Sequence, residues 1–385
     1  MAKQNTNALV RIIRPIIKSA EIALKNFVVF AGSLFFERPR QRSGPLDPAG
    51  VSRILLLRYD KLGDMAVSIP VLETIKKTLP LVQIDILASE RNVALIEYDR
   101  RISTIFLYRK KPLVDFVTLR NIRKRKYDLV MDLICHDSVT SVFLSQYLGR
   151  GCLRSALGKR KLGGFYHFHH EVDVTLGEHM LDVTLRSLWP LGIGEADLCF
   201  RAPLHFDSGT ETRIEELMQS FRKEAGQSRK FIGVNISAGA PNRWWGEENF
   251  RELVKLLARE APEFRPLVFC VPHDRQAALR ICQRIENPPL LIPAGLDIMT
   301  AAGLISHRSA LVTPDTSLTH IARNFGVPVV GLYSKHTRNP EQWRPHGQSR
   351  GLVQGAHEDD IFDITPERVI EETLVVLEQM KHVAI

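Results

Sequence analysis

The sequence predicts an α/β protein made of two parallel-sheet halves. Three observations point there. Short apolar runs alternate with amphipathic stretches from Arg53 onward, the alternation breaks over residues 207–229 and restarts at Phe231, and both halves place Gly, Ser, Thr and Asp where their strands should end. At 385 residues the chain exceeds what a single core usually organises. The expected division is a basic amphipathic extension over 1–50, a first half over 51–206, a connecting segment over 207–229, a second half over 230–360 and a C-terminal helix over 361–385.

In the first half, Ile54 to Leu57 reads as a buried strand and Lys61-Leu62-Gly63-Asp64 as a turn. Val67 to Thr78 reads as a helix with Pro70 in its first turns. Strands follow at Val82 to Leu87, Ile105 to Leu107 and Leu129 to Leu133, with a basic helix at Val114 to Arg125. A charged, exposed helix is expected over Glu211 to Gly226. The second half continues with strands at Phe231 to Asn235, Pro266 to Val271 and Leu290 to Ile292, and helices at Phe250 to Arg259 and Arg275 to Ile285. Thr365 is placed to cap a last helix, Pro366 to Lys381.

The most informative stretch is Ser306 to Gly331. Ala310 to Thr313 suits a buried strand, Thr316 or Ser317 can cap a helix beginning near Leu318, and Gly326-Val327-Pro328 stops that helix before the strand Val329 to Leu332. Such a helix start offers unpaired N–H groups and a positive dipole end to an anion, although a capped surface helix would look the same. Ligands of open α/β sheets gather beyond the strands' carboxyl ends. A cleft between the halves would then have Arg58, Lys61, Gly63 and Asp64 on one wall. The other would hold Ser237, Ala238, Gly239, Asn242, Arg243, Asp315, Thr316, Ser317 and His320. No G-x-G-x-x-G or G-x-x-x-x-G-K-[ST] stands in a strand-turn-helix setting, which argues against dinucleotide oxidoreductases and P-loop enzymes.

Five scattered cysteines without a C-x-x-C pair fit a reduced cytoplasmic setting, and neither a bilayer-length apolar run nor a secretory leader is evident. The net charge of +9 is concentrated at the start, where residues 1–50 hold eight Lys or Arg against three acids. Interleaved with Ile, Phe and Leu, they form a pattern suited to an anionic membrane interface or to a helix packed on the protein body. The segment Arg109 to Lys126 is also basic and could meet an acidic acceptor or anionic lipid, or be a solvated helix face. No nucleic-acid reader motif accompanies the charge.

Several ordered motifs resemble the bacterial heptosyltransferases of glycosyltransferase family nine. They are Ile54 to Asp64 followed by Ile69-Pro70-Val71-Leu72; Tyr127-Asp128-Leu129-Val130-Met131-Asp132-Leu133; Val234 to Ala240 with Arg243-Trp244-Trp245 and Asn249-Phe250; and Asp315-Thr316-Ser317 with His320, Gly326-Val327-Pro328, Trp343 and Pro345. The resemblance covers about residues 52 to 380. It implies a GT-B fold, in which two Rossmann-like domains face each other across a cleft. It also implies inversion at the anomeric carbon without metal or other cofactor, with a nucleotide-diphosphate sugar held by the second domain.

By the same resemblance Asp64 is the catalytic base, although Gly63-Asp64 also suits a helix N-cap. Arg243, where the family has Lys, would grip donor phosphate. Thr316 and Ser317 would hold the same diphosphate, Asp315 the donor sugar, and Ser237 and His320 would line the donor site, His320 alternatively acting as a capping or packing residue. Leu296 and Asp297 lie on a loop that could meet the base; Lys61, Gly63 and Arg58 belong to the acceptor or phosphate side. Ser317 replaces the family's usual Gly, which would matter if that position required positive φ. The expected reaction moves a sugar, heptose from ADP-heptose foremost, onto a lipopolysaccharide core or lipid-linked acceptor at the inner face of the cytoplasmic membrane. Alternatives are a UDP-hexose transferase, a non-catalytic nucleotide-sugar scaffold and a sugar epimerase.

Overall fold

The computed structural model describes residues 36–172, 177–226, 230–283, 285–335 and 339–383. The apolar runs become strands β1 (Arg53–Leu57), β2 (Gln83–Ala88), β3 (Thr104–Leu107), β4 (Leu129–Asp132), β5 (Leu153–Leu157) and β6 (Phe168–His170). They pair in the order β3-β2-β1-β4-β5-β6, every neighbour parallel. Helices α1 (Leu62–Thr78), α2 (Pro112–Arg123), α3 (Val139–Leu148) and α4 (Met180–Leu185) belong to this half. Both faces of the sheet are covered, so Ile54, Leu55, Leu56 and Leu57 are all buried and the strand is apolar throughout rather than alternating.

The second half opens with α5 (Ser208–Ala225), then β7 (Lys230–Asn235), α6 (Glu247–Glu260), β8 (Phe264–Phe269), α7 (Arg275–Cys282), β9 (Leu290–Leu291) and α8 (Ile298–Ser306). It closes with β10 (Ala310–Pro314), α9 (Ser317–Asn324), β11 (Val329–Tyr333), α10 (Asn339–Trp343), β12 (Leu352–Gln354) and α11 (Pro366–Val383). Its parallel sheet runs β12-β11-β10-β7-β8-β9. In α5, Ile214, Leu217, Met218 and Phe221 repeat at helical spacing and share a core with Phe231, Leu267 and Leu304. That helix, expected to be exposed, therefore buries one face. Thr365 accepts from Arg368 N–H at 3.4 Å at the start of α11.

Strand order reverses between β1 and β4 and between β7 and β10. The loops after β1, β7 and β10 thus open at the two switch points, where a ligand has room between diverging connections.

Helix α1 starts five residues earlier than expected, which puts Pro70 in its interior. Proline has no N–H, so the carbonyl of Ala66, four residues back, lacks its helical donor. Asn324 Nδ2 of α9 donates to it at 2.9 Å. The helix defect becomes a contact between the halves, next to the packing of Ile321, Met299 and Ala302 into the first half's core. A second link pairs His346 Nε2 with Asp182 Oδ1 at 2.9 Å, beside His179 Nε2 and the Arg344 carbonyl at 2.9 Å.

Residues 1–35, with most of the expected amphipathic segment, lie outside the described residues. From Phe36 on, the chain packs on the first half: Phe36 meets Phe165 edge-on at 5.7 Å, and Arg42 N–H donates to the His167 carbonyl at 2.8 Å.

Candidate active site

A cleft of about 650 Å³ lies between the two switch points, lined from the first half by Lys61, Leu62, Gly63 and Asp64. Asp64 stands in the first turn of α1, whose N-cap position is taken by Lys61 in extended conformation without a side-chain cap. Asp64 is therefore no N-cap. Its carbonyl is held by Arg58 Nε at 3.0 Å and by Ser68 Oγ at 2.9 Å.

Arg58 does not sit on the cleft wall as expected. Its side chain is buried, bonding Ser68 Oγ at 2.7 Å, Asp60 Oδ2 at 3.2 Å and the carbonyl of Leu133. A guanidinium pointing under β1 finds enough acceptors to satisfy its charge, so it braces the loop that presents Asp64. Asp60, on that same brace, has its carboxyl pushed up to about 6 by burial, with Arg58 opposing and the charge of Asp64 adding to the rise.

Across the cleft, α9 begins at Ser317 with Thr316 at its N-cap position. Neither Thr316 nor Ser317, the two expected caps, caps the helix with its side chain: the Thr316 hydroxyl lies 3.0 Å from Thr313 Oγ1 and Ser317 is already the first helical residue. The first turn of α9 thus keeps a dipole end with no side-chain cap. Ser317 is helical. Among the described residues only Lys110 and Lys126 combine a side chain with positive φ, so this position does not demand glycine. A Cβ built on Gly63 would lie 3.7 Å from both Ser317 Cβ and His320 Cδ2. The first turns of α1 and α9 therefore face each other at close range.

Arg243 reaches the cleft and pairs with Asp315, NH1 to Oδ2 at 3.0 Å and NH1 to the carbonyl at 3.2 Å. Burial pushes the Asp315 carboxyl up, while Arg243 and Lys61 pull it back. His320 is buried and its Nδ1 has no partner among the described residues; burial, then Arg323 and His179, hold it well below the usual histidine range and therefore neutral. Its ring lies 5.4 Å from that of Trp343. Ser237, Ala238 and Gly239 line the cleft as well. Ser237 Oγ accepts from Val271 N–H at 2.9 Å.

Leu296 and Asp297 both border the cleft. Asp297 N-caps α8, accepting from Met299 N–H at 2.8 Å and Thr300 N–H at 2.9 Å. Burial works to raise its pKa, but the Thr300 hydroxyl and these amides outweigh it and hold the carboxylate ionised. The sequence reading overlooked Val271, Ile292, Ile298 and Ala301, an apolar wall formed by the ends of β8 and β9 and the first turn of α8. It also overlooked Asn235 as a site residue. Asn235 Nδ2 donates to Thr313 Oγ1 at 2.9 Å and to the Ser237 carbonyl at 3.0 Å, tying the loops after β7 and β10 together. An Asn closing a buried strand end was the available signal.

Outside the cleft, ligand atoms of His179, Asp182 and His346 lie within 4.8 Å of one another. His179 uses both ring nitrogens, Nδ1 accepting from Leu181 N–H at 3.0 Å and Nε2 facing the Arg344 carbonyl. This trio reads as a clasp between the halves. Trp245 of the Arg243-Trp244-Trp245 motif is fully buried and donates to the Ile364 carbonyl at 2.8 Å.

The sequence model of glycosyltransferase family 9 (heptosyltransferase) matches residues 117–361. The chain belongs to that family. It is accordingly a glycosyltransferase. Lipopolysaccharide heptosyltransferase 3 of Escherichia coli K12 is 23% identical over 303 residues, covering 75% of this chain and 83% of that protein. The lipopolysaccharide core heptosyltransferase OpsX of Haemophilus influenzae is 20% identical over 326 residues, covering 80% and 86%. Among solved structures, a family 9 glycosyltransferase from Veillonella parvula superposes with TM-score 0.72 at 18% identity, covering 85% of this chain and 97% of that one. E. coli ADP-heptose lipopolysaccharide heptosyltransferase II gives 0.65 at 20%, covering 86% and 99%. The family 9 chain thus has the GT-B fold, its paired parallel sheets facing across the cleft.

Proposed function

We propose that this glycosyltransferase moves heptose from ADP-heptose onto the core of lipopolysaccharide or a related lipid-linked acceptor, at the inner face of the cytoplasmic membrane. The observation that carries the reading is the convergence of two first helical turns, α1 with Asp64 and α9 with Ser317, on one cleft that also holds Lys61 and Arg243. A donor diphosphate fits the α9 end, where backbone N–H groups and two cations meet its charge. The apolar wall of Val271, Ile292, Leu296, Ile298 and Ala301 suits a flat base and would accept adenine through shape and backbone contacts.

The acceptor hydroxyl attacks the anomeric carbon from the side opposite the diphosphate, so a single displacement inverts the configuration. As the new C–O bond forms, Asp64 takes the hydroxyl proton and the bond to the diphosphate breaks, releasing ADP. Charge growing on the leaving oxygen is met by the α9 amides, Lys61 and Arg243, and this electrostatic set performs the role a metal ion serves elsewhere. Asp315 holds Arg243 at the cleft it lines and would accept from donor hydroxyls there. The neutral His320 turns its Cδ2 edge toward Gly63 and keeps Nδ1 buried.

Calorimetry with ADP, UDP, GDP and ADP-heptose, followed by transfer to lipopolysaccharide lacking core heptose, tests this reading. Expected are ADP-selective binding and ADP release only when donor and acceptor are both present. UDP-selective binding would redirect the assignment to a hexose transferase, and ADP-heptose turnover without acceptor would contradict transfer.

A further inference from the structure

Helix α2 carries several apolar residues on the outside. Leu113 is 91% exposed, Phe116 59% and Val117 59%, whereas the inward face is held by Ile122 and Asp115. Four side chains of the outer face, Leu113, Phe116, Val117 and Arg120, fall on one stripe at helical spacing. The arrangement is built. Asp115 turns inward and accepts from Arg109 N–H at 2.9 Å and Lys111 N–H at 2.7 Å, fixing the loop before the helix. Lys110 takes the left-handed conformation there, with φ 59°. A basic residue in that strained region lets the chain turn while Lys110 and Lys111 stay exposed. Next door on α3, Phe143 is exposed and stacks on Tyr147 at 6.0 Å, and Arg123 lies over the Tyr147 ring at 4.9 Å.

The charge around this apolar tip has one sign. Residues 109–126 hold eight Lys or Arg against one acid, and that acid is Asp115, already engaged. A cationic rim around exposed Leu and Phe complements an anionic lipid surface: basic groups meet headgroups while the apolar tip enters the acyl boundary. The same sign disfavours the other occupants. A second copy would bring like charge against like, and residues 1–35 carry five basic residues against one acid. Position agrees as well. Because β1, β2 and β3 are parallel neighbours in register, the loop after β3 opens on the same sheet edge as the loop carrying Asp64, about 10 Å away across two strand spacings.

We propose that α2, with the loop before it, docks on an anionic lipid bilayer and seats the cleft mouth against the membrane. The proposal stands on this exposed surface and draws on the transfer reading only for the use of such docking.

The test is sedimentation of the full-length protein with vesicles of phosphatidylethanolamine and phosphatidylglycerol, and with neutral phosphatidylcholine vesicles. The variants are Leu113→Ser with Phe116→Ser, and Arg120→Glu with Lys124→Glu. Binding of the wild type should require anionic lipid and weaken with salt, and each variant should lose about tenfold or more. ADP affinity, measured on the same samples, should be unchanged, since these residues lie outside the cleft. Wild-type affinity retained by both variants, or equal binding to neutral vesicles, would overturn the proposal. So would a wild-type dimer that the serine variant dissolves without altered vesicle binding, because the apolar stripe would then belong to a second copy. Loss of ADP binding in the wild type would instead contradict the donor assignment and leave this surface standing.

Discussion

The hydrogen bond from Asn324 to Ala66 isolates one consequence of a proline in a helix. Asn324 Nδ2 meets a carbonyl that Pro70 has left without its helical donor, and donor and acceptor are both buried. Asn324→Ala removes the bond and strands the carbonyl, a combined effect of about 2 kcal/mol, since the bond itself is worth about 1 and a stranded buried acceptor costs about 1–3 kcal/mol. Asn324 Oδ1 also accepts from Arg323 NH2 at 2.7 Å, so the single variant cannot isolate the Ala66 contact. Pro70→Ala can, because the restored N–H reaches the Ala66 carbonyl from within α1. The Asn324→Ala cost should then shrink by about 1 kcal/mol, the Arg323 contribution cancelling around the cycle. Urea unfolding of wild type, both single variants and the double variant supplies the four free energies. Equal Asn324→Ala costs in the two backgrounds, within about 0.3 kcal/mol, would refute the reasoning.

Three further outcomes follow from the same geometry. Burial holds His179 down to about 4, against the opposing pull of the Arg344 carbonyl. Its folded pKa is depressed, so the stability it contributes is present above about 6.5 and lost as pH falls toward 4, a span worth about 3 kcal/mol; the melting temperature of His179→Gln should therefore fall less steeply than wild type between these pH values, and parallel curves would contradict this. Arg243→Ala should weaken ADP binding by about tenfold to a hundredfold in calorimetry, with Arg243→Lys recovering part of the loss, because a charge-assisted contact is worth about 1.5–3 kcal/mol. Ser317→Gly should give no gain in ADP affinity and cost up to about 1 kcal/mol of stability by thermal unfolding, since the position is already helical.

Much of the fold was legible because parallel strands buried on both faces are written as unbroken apolar runs, as in Ile54 to Leu57 and Ala310 to Val312. Other elements were masked by polar residues that the fold satisfies internally. β5 contains Arg154, fully buried and paired with Glu37 at 3.3 Å, which reads in sequence as a surface residue. α3 carries Ser141 and Ser145, whose hydroxyls bond back to the carbonyls of Ser138 and Val142 at 3.0 Å; that pattern weakens a helix signal.

At the site, glycine and hydroxyl clusters at strand ends indicated the cleft, whereas what each side chain does there depended on packing. Arg58 and Asp64 are six residues apart, yet one turns under the sheet and the other into the cleft. Asp297 was expected on a loop and caps α8, because nothing local distinguishes an Asx turn from a cap whose helix runs Ile298-Met299-Thr300. The outward stripe of α2 was equally hidden, since Leu113, Phe116 and Val117 spell a buried face by pattern alone.

Single-turnover transfer from ADP-heptose to heptose-free lipopolysaccharide, comparing wild type with Asp64→Asn and reading the anomeric configuration of the product by NMR, bears most directly on the central claim. Asp64→Asn keeps the shape of the α1 first turn and removes the base. The account predicts an inverted product, a rate lowered by about a hundredfold or more, and ADP affinity within about threefold of wild type. A retained anomeric configuration, or an Asp64→Asn enzyme that transfers at the wild-type rate, would contradict it.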